Sequence, residues 1–365
     1  MTSTDTENVS SNLSTDILLL QIPPEPDLQW IAQLETKYPG LKVRWVPLRW
    51  APGDKGSAVT ALPPEIWEGV TIACLFLPHP GRLMSKVRYV QLTSAGADKW
   101  IEHETYKNRN VVFCAANGIH PPQIAEWVIG TWLMMRLGFL EYASYQKQAK
   151  WSNALVDVQD SLGLRMGILG YGAIGRQCAR LASAMGVEVY AFTRSERPTP
   201  VQRRDDRYCL PGMGDPDGLI PAKWFHGSSK NAVNEFLGQD LDILVICLPL
   251  TEATQSVIGR EQFEILAKKK TFLSNVARGK HVDTDALVEA LQQGKIQGAA
   301  LDVTDPEPLP DGHPLFTAPN VFITPHISWR TPFYFKRILD IMEVNLERLN
   351  NGEPLLNIIN KECYY

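Results

Sequence analysis

The glycine run Gly170-Tyr171-Gly172-Ala173-Ile174-Gly175 constrains this chain more than any other feature. Glycines at the first, third and sixth places of a hexapeptide recur by chance, so the pattern takes its meaning from its flanks. The β-type run Met166–Leu169 precedes it, and the amphipathic run Ile174–Met185 follows. A strand entering a helix through such a turn makes a phosphate cradle. The first glycine permits the turn, the second lets backbone approach a pyrophosphate, and the third lets helix and strand pack closely. The helix N-terminus adds unpaired N–H groups and a positive dipole end. Gly170, Gly172, Ala173, Ile174 and Gly175 are therefore expected to hold a dinucleotide.

At 365 residues the chain exceeds one ordinary core, which predicts two domains. Strand-like runs begin at Asp16 and recur at Leu41–Val46, Ile72–Leu77, Tyr89–Leu92 and Val111–Cys114. A long helix is expected from about Pro122 to about Lys150, with proline in its first turn. A second series of strands follows at Arg165–Leu169, Val187–Phe192, Ile243–Leu248, Thr271–Asn275, Gly298–Leu301 and Val321–Thr324, with helices at Ala173–Met185 and Asp283–Gln293. Strands alternating with helices predict parallel sheets, hence an α/β, doubly wound protein. The connection Ser195–Gln239 is long for its place, with one helix expected near Asn231–Leu237, and it reads as surface decoration or a functional loop. Residues 1–15, polar and nearly free of apolar side chains, read as a disordered tail and not as a targeting peptide.

A net charge of −4 argues against a nucleic-acid partner. No apolar run is long enough to span a membrane. The six cysteines, Cys74, Cys114, Cys178, Cys209, Cys247 and Cys363, lie scattered without metal-ligand spacing, so no metal site is expected. Scattered thiols fit a reducing, cytoplasmic compartment.

The end of the strand Val187–Phe192 bears on the choice of cofactor. A carboxylate there would hold ribose hydroxyls and repel a 2′-phosphate. Thr193-Arg194-Ser195 stands there instead, and a guanidinium can pair with that phosphate, with Arg197 able to assist, so NADP is preferred over NAD. Three further segments place polar residues directly after predicted strands: Asn275-Val276-Ala277-Arg278-Gly279, Asp302-Val-Thr-Asp-Pro-Glu307-Pro, and Thr324-Pro-His326. Ligands of doubly wound sheets bind at strand C-termini, so these segments are expected to converge. Reduction of a 2-oxo acid needs a hydride and a proton. His326 is the natural proton donor. Glu307 would orient it, and Arg278 would clamp the substrate carboxylate.

Together, in this order, these motifs resemble the D-isomer-specific 2-hydroxyacid dehydrogenase family, which includes glyoxylate and hydroxypyruvate reductases. The likeness is close from about Pro122 to Thr331. The resemblance implies a Rossmann-type cofactor domain, residues 121–328, inserted into a flavodoxin-like substrate domain of residues 16–120 and 329–365. It also implies that Asp302 contacts the nicotinamide carboxamide, that Val276 and Ala277 line the same pocket, and that the Leu248-Pro249 loop lies beside the cofactor. Ser94, Ala95 and Gly96 would offer backbone N–H groups to the substrate carboxylate. A D-configured product and a homodimer are further implications. A formate dehydrogenase would pair its histidine with glutamine, against Glu307. Corepressor-like relatives keep the same trio but prefer NAD, against Thr193-Arg194.

Overall fold

Continuous apolar runs, as opposed to alternating ones, mark strands covered on both faces. The computed structural model describes residues 13–48, 62–153 and 158–362. Its strands with such runs, among them Leu18–Leu20 and Ile243–Ile246, are buried throughout. The chain divides into two units: Met1–Ile119 with Pro332–Tyr365, and His120–Thr331, so that the second interrupts the first.

The first unit carries β1 (Ile17–Gln21), β2 (Lys42–Trp45), β3 (Ile72–Leu75), β4 (Tyr89–Leu92) and β5 (Val112–Cys114). They form one parallel sheet in the order β2-β1-β3-β4-β5, the flavodoxin-like order. The helix Tyr334–Asn350 returns to this unit and buries Ile338, Ile341, Met342 and Leu346. Its Asn345 donates to Gln91 Oε1 at 3.2 Å, which satisfies a fully buried amide of β4. Of the tail expected over 1–15, residues 1–12 lie outside the described residues, whereas Leu13 is 1% exposed and accepts a hydrogen bond from Asp16 N. Cys363 also lies outside.

The second unit carries β6 (Arg165–Leu169), β7 (Glu188–Thr193), β8 (Lys223–His226), β9 (Ile243–Ile246), β10 (Phe272–Asn275), β11 (Gly298–Leu301) and β12 (Val321–Ile323). Every pairing is parallel, in the order β12-β11-β10-β9-β6-β7-β8. Counted from β6, this is the Rossmann order 3-2-1-4-5-6 with one strand added beyond its last. The molecule is therefore the expected pair of doubly wound α/β domains, with a Rossmann-type sheet in the interrupting unit.

Three local features depart from expectation. The single helix expected over Pro122–Lys150 is two, Pro121–Arg136 and Phe139–Lys147. Gly138 between them has φ +66°, a left-handed conformation that ends the first helix. The connection after β7 contains β8, which extends the sheet by one edge strand. The helix Arg260–Ala267 adds a further element that the apolar spacing does not announce.

Candidate active site

Because all strands of the Rossmann-type sheet run one way, their C-terminal ends share one edge. The register makes this concrete: Phe192, Leu169, Ile246, Asn275, Leu301 and Ile323 are neighbours across the sheet. Gly170, Thr193, Leu248, Val276, Asp302 and His326 all lie at or just beyond that row. Six separate stretches of sequence are thereby brought to one edge.

The glycine turn fits a pyrophosphate. Gly170 has φ +103°, and a Cβ there would lie 2.8 Å from the backbone carbon and oxygen of Cys247. A Cβ on Gly175 would lie 2.6 Å from Gly170 O and 2.8 Å from Ile168 Cγ2. Gly172 differs. A Cβ there would meet only Arg207 Nη2, at 3.7 Å, so its face is open for close approach of a phosphate. Gly172 caps the helix Ala173–Ala184, whose first turn presents its N–H groups at the same place.

Arg278 is placed by its own motif. Asn275 accepts from Ala277 N at 3.1 Å and donates to Arg278 O at 3.0 Å, so one side chain closes the turn that carries the arginine. The backbone of Thr304 and Asp305 crosses over Gly279, where a Cβ would fall 1.9 Å from Thr304 O. No larger residue fits, and the crossing brings the Glu307 loop beside Arg278. Glu307 Oε1 and His326 Nδ1 are 2.7 Å apart. Burial works to raise the Glu307 carboxyl. The His326 hydrogen bond and charge, a Thr304 backbone bond and the Arg278 charge outweigh it and hold the group below its ordinary value. His326 and Glu307 thus meet directly, and the Arg278 charge adds to what favours the Glu307 carboxylate. With Nδ1 engaged, Nε2 is the ring nitrogen left to face a substrate.

His326 has φ +53°, rare for a non-glycine residue. Its N–H donates to Asp302 O at 2.8 Å, and its carbonyl accepts from Trp329 Nε1 at 2.8 Å. The Asp302 carboxylate, 1% exposed, accepts four bonds: Thr324 Oγ1 at 2.6 Å and Ile327 N at 2.8 Å on Oδ1, Ser328 N at 3.0 Å and Ser328 Oγ at 2.5 Å on Oδ2. Each oxygen has its lone pairs filled. The resemblance implies a nicotinamide contact for Asp302 as well. In the structure Asp302 holds the turn that carries His326. Buried His281, unremarked in the sequence, sets both ring nitrogens toward carbonyls, Leu248 O at 3.0 Å and Thr254 O at 2.9 Å, and so pins the Leu248-Pro249 loop. Val276 and Ala277 are each 7% exposed. Among the described residues no group of His, Cys, Asp or Glu could hold a metal ion.

At the end of β7, Thr193 Oγ1 donates to Ser195 O at 2.8 Å, while Arg194 and Ser195 are exposed. The segment beyond does not run free over the surface. Arg176, 2% exposed on the glycine-motif helix, donates to Asp215 O and to Arg203 O, and faces Asp205 Oδ2 at 3.3 Å. Tyr171 OH donates to Asp215 Oδ2 at 2.7 Å, and Gln177 Oε1 accepts from Gly214 N at 2.6 Å. The segment is docked on the helix that follows the glycines. In the other unit, the Ser94–Gly96 loop follows β4, with Ser94 Oγ donating to Gly96 O at 2.6 Å and Ser94 O accepting from Ala116 N.

Residues 129–210 and 222–328 match the model of a family described as D-isomer specific 2-hydroxyacid dehydrogenase, NAD binding domain. A glycerate dehydrogenase of Methylorubrum extorquens is 30% identical over 239 residues, covering 63% of this chain and 66% of that protein. Glyoxylate/hydroxypyruvate reductase A of Serratia proteamaculans is 29% identical over 336 residues, covering 91% of this chain and 94% of its own. The crystal structure of a D-isomer specific 2-hydroxyacid dehydrogenase from Xanthobacter autotrophicus Py2, in complex with NADPH and MES, is similar with a TM-score of 0.72 at 25% identity, covering 96% of this chain and 100% of that one. Alignments with the first four curated relatives span from 54% to 73% of those proteins' lengths.

Proposed function

The chain belongs to the D-isomer specific 2-hydroxyacid dehydrogenase family, and on that premise we propose that it reduces a 2-oxo acid to the D-2-hydroxy acid at the expense of NADPH. The observation that carries the reading is the His326–Glu307 pair, 2.7 Å apart, at the strand edge that also bears the glycine turn.

Gly170, Gly172, Ala173, Ile174 and Gly175 would hold the dinucleotide, which supplies the hydride when bound. The protein's own part is the proton and the anion clamp. His326 delivers a proton from Nε2 to the carbonyl oxygen, while Glu307 at Nδ1 stabilises the imidazolium that precedes delivery. Arg278 binds the substrate carboxylate and polarises the carbonyl being reduced. Ser94, Ala95 and Gly96 keep their proposed share in holding that carboxylate. Val276, Ala277, Leu248 and Pro249 are proposed to line the nicotinamide side. Asp302 positions His326 through the Thr324–Ser328 turn.

Support for NADP over NAD comes from Thr193 in the place of an acid and from exposed Arg194 after it, with Ser195 and Arg197 close by in sequence. The Xanthobacter relative's NADPH agrees with this preference. Glyoxylate and hydroxypyruvate are the first substrates to test, since relatives carry those names; bulkier 2-oxo acids come next. A homodimer is the assembly the family membership suggests, and scattered free thiols favour a reducing, cytoplasmic setting.

The test is oxidation of NADPH and NADH by the purified protein with glyoxylate, hydroxypyruvate, pyruvate and phenylpyruvate, alongside Arg278→Ala and His326→Ala. Turnover with NADPH that both substitutions abolish is expected. Turnover that survives His326→Ala undiminished would refute the assignment of the proton donor.

A further inference from the structure

The segment after β7 brings one guanidinium to the glycine turn. Arg207 Nη2 lies 3.7 Å from the point a Cβ would occupy on Gly172. That absent side chain is what gives a phosphate room to approach. The guanidinium is aimed. Nε donates to Asp205 Oδ1 at 2.6 Å and Nη2 to Asp205 Oδ2 at 2.6 Å, a two-pronged pairing that fixes the plane of the group. Asp205 is itself anchored against the buried Arg176. The other N–H groups of the Arg207 fork, at Nη1 and the second position of Nη2, have no partner among the described residues. The Arg207 side chain is 47% exposed, so its outer edge meets solvent.

We propose that Arg207 is a phosphate ligand of the dinucleotide, closing over the pyrophosphate at Gly172, with Asp205 and Arg176 as its positioning residues. The role rests on the reading above that a dinucleotide binds at the glycine turn. It gives the long connection a function that its sequence does not announce: an arm docked on the glycine turn through Tyr171 and on the helix through Arg176 and Gln177, and carrying a cation to the one open face of the turn. Because every nicotinamide dinucleotide has the pyrophosphate, Arg207 acts on NADPH and NADH alike. Arg194, beside the proposed site of the 2′-phosphate, acts on NADPH alone. The two arginines therefore divide affinity from selectivity.

The experiment measures dissociation constants of NADPH and NADH by fluorescence titration for the full-length parent, Arg207→Ala, Arg207→Gln and Arg194→Ala, with thermal unfolding of each. Loss of one charge-assisted contact predicts that Arg207→Ala and Arg207→Gln weaken both cofactors by the same factor, roughly 10- to 100-fold. Arg194→Ala should weaken NADPH only. Arg207→Gln keeps the side-chain stem, so a stably folded variant with this loss excludes general collapse of the arm as its cause. Constants within about twofold of the parent for both cofactors would overturn the proposal while leaving the dehydrogenase reading intact. A loss confined to NADPH would overturn it too, since Arg207 would then be reading the 2′-phosphate. A parent that binds neither dinucleotide would bring down the reading itself, and the proposal with it.

Discussion

Replacing Asp302 with asparagine tests how His326, the proposed proton donor, is held. In the parent, each carboxylate oxygen takes one hydroxyl donor and one backbone N–H: Thr324 and Ile327 on one side, Ser328 twice on the other. The amide of the variant would put an NH2 group on one side. Whichever side that is, the hydroxyl can rotate to become an acceptor, but the backbone N–H cannot. One N–H, buried at Ser328 or half-buried at Ile327, is left without a partner, which costs about 1–3 kcal/mol. The surviving bonds also lose their charge assistance, so the whole change is about 2–4 kcal/mol. The loss falls on the turn that keeps His326 at φ +53°. Amide hydrogen exchange at Ile327 and Ser328 reads it directly, since about 2 kcal/mol of lost opening free energy speeds exchange about 30-fold. The turnover number at saturating cofactor should fall about tenfold or more, because small misplacements of a proton donor are expensive. Parent-like protection of both amides together with parent-like turnover would refute the account of Asp302 as the anchor of the turn that carries His326.

Four further outcomes are expected. Gly170→Ala forces a side chain to φ +103° and 2.8 Å from Cys247 backbone, so it should destabilise by about 2 kcal/mol or more and weaken dinucleotide binding. Gly212→Ala, at φ +75° but with open space around it, should cost about 1 kcal/mol and leave binding unchanged; urea unfolding and cofactor titration compare the two. The Glu307 carboxyl should titrate below its ordinary 4.5 in an NMR pH series, so that its contribution to stability is present above that value and lost as pH falls through the depressed one. A Glu307 titration at or above 4.5 would contradict the His326 and Arg278 interactions. Burial, with the charge of His103 second, pushes His79 in the first unit down to about 4 from 6.5. The unfolded chain takes up that proton first as pH falls, so stability complete above about pH 6.5 should decline by about 3 kcal/mol toward about pH 4. Urea unfolding of His79→Gln should show that slope flattened.

The fold was legible wherever burial is two-sided. β4 and β11 coincide with the runs Tyr89–Leu92 and Gly298–Leu301, because a parallel strand under two layers of helix is apolar from end to end. β8 escaped notice for the opposite reason: Lys223-Trp224-Phe225-His226 is an edge strand with exposed ends and only two apolar residues. The break at Gly138 was legible in principle, as a glycine inside a helical run, yet the apolar residues on both sides masked it. Within the site, the proposed trio stands out in the sequence because each member follows a strand. The work of Asp302 and His281 could not. Both act through hydrogen bonds to backbone atoms far along the chain, which leave no periodic trace. Arg176 was hidden for a related reason, since a charged residue one place after a glycine motif reads as a solvated helix position until a distant segment folds over it.

The burial of Arg176 also speaks to descent. Its guanidinium is kept from water by the arm, and that arm supplies Asp205, Asp215 O and Arg203 O as its partners. Were the arm shortened, an arginine at this position would lose its counter-ion and its acceptors together. Were the arginine changed first, the arm would retain carbonyls and a carboxylate with no donor beneath them. Neither change is expected to be neutral alone, so the arm and the arginine depend on each other. Relatives that lack the arm are expected to carry a small or neutral residue at the helix position after the last glycine, and relatives that keep it to carry an arginine there. A chimera joining this arm to an arm-less relative should fold well only when the arginine is moved with it.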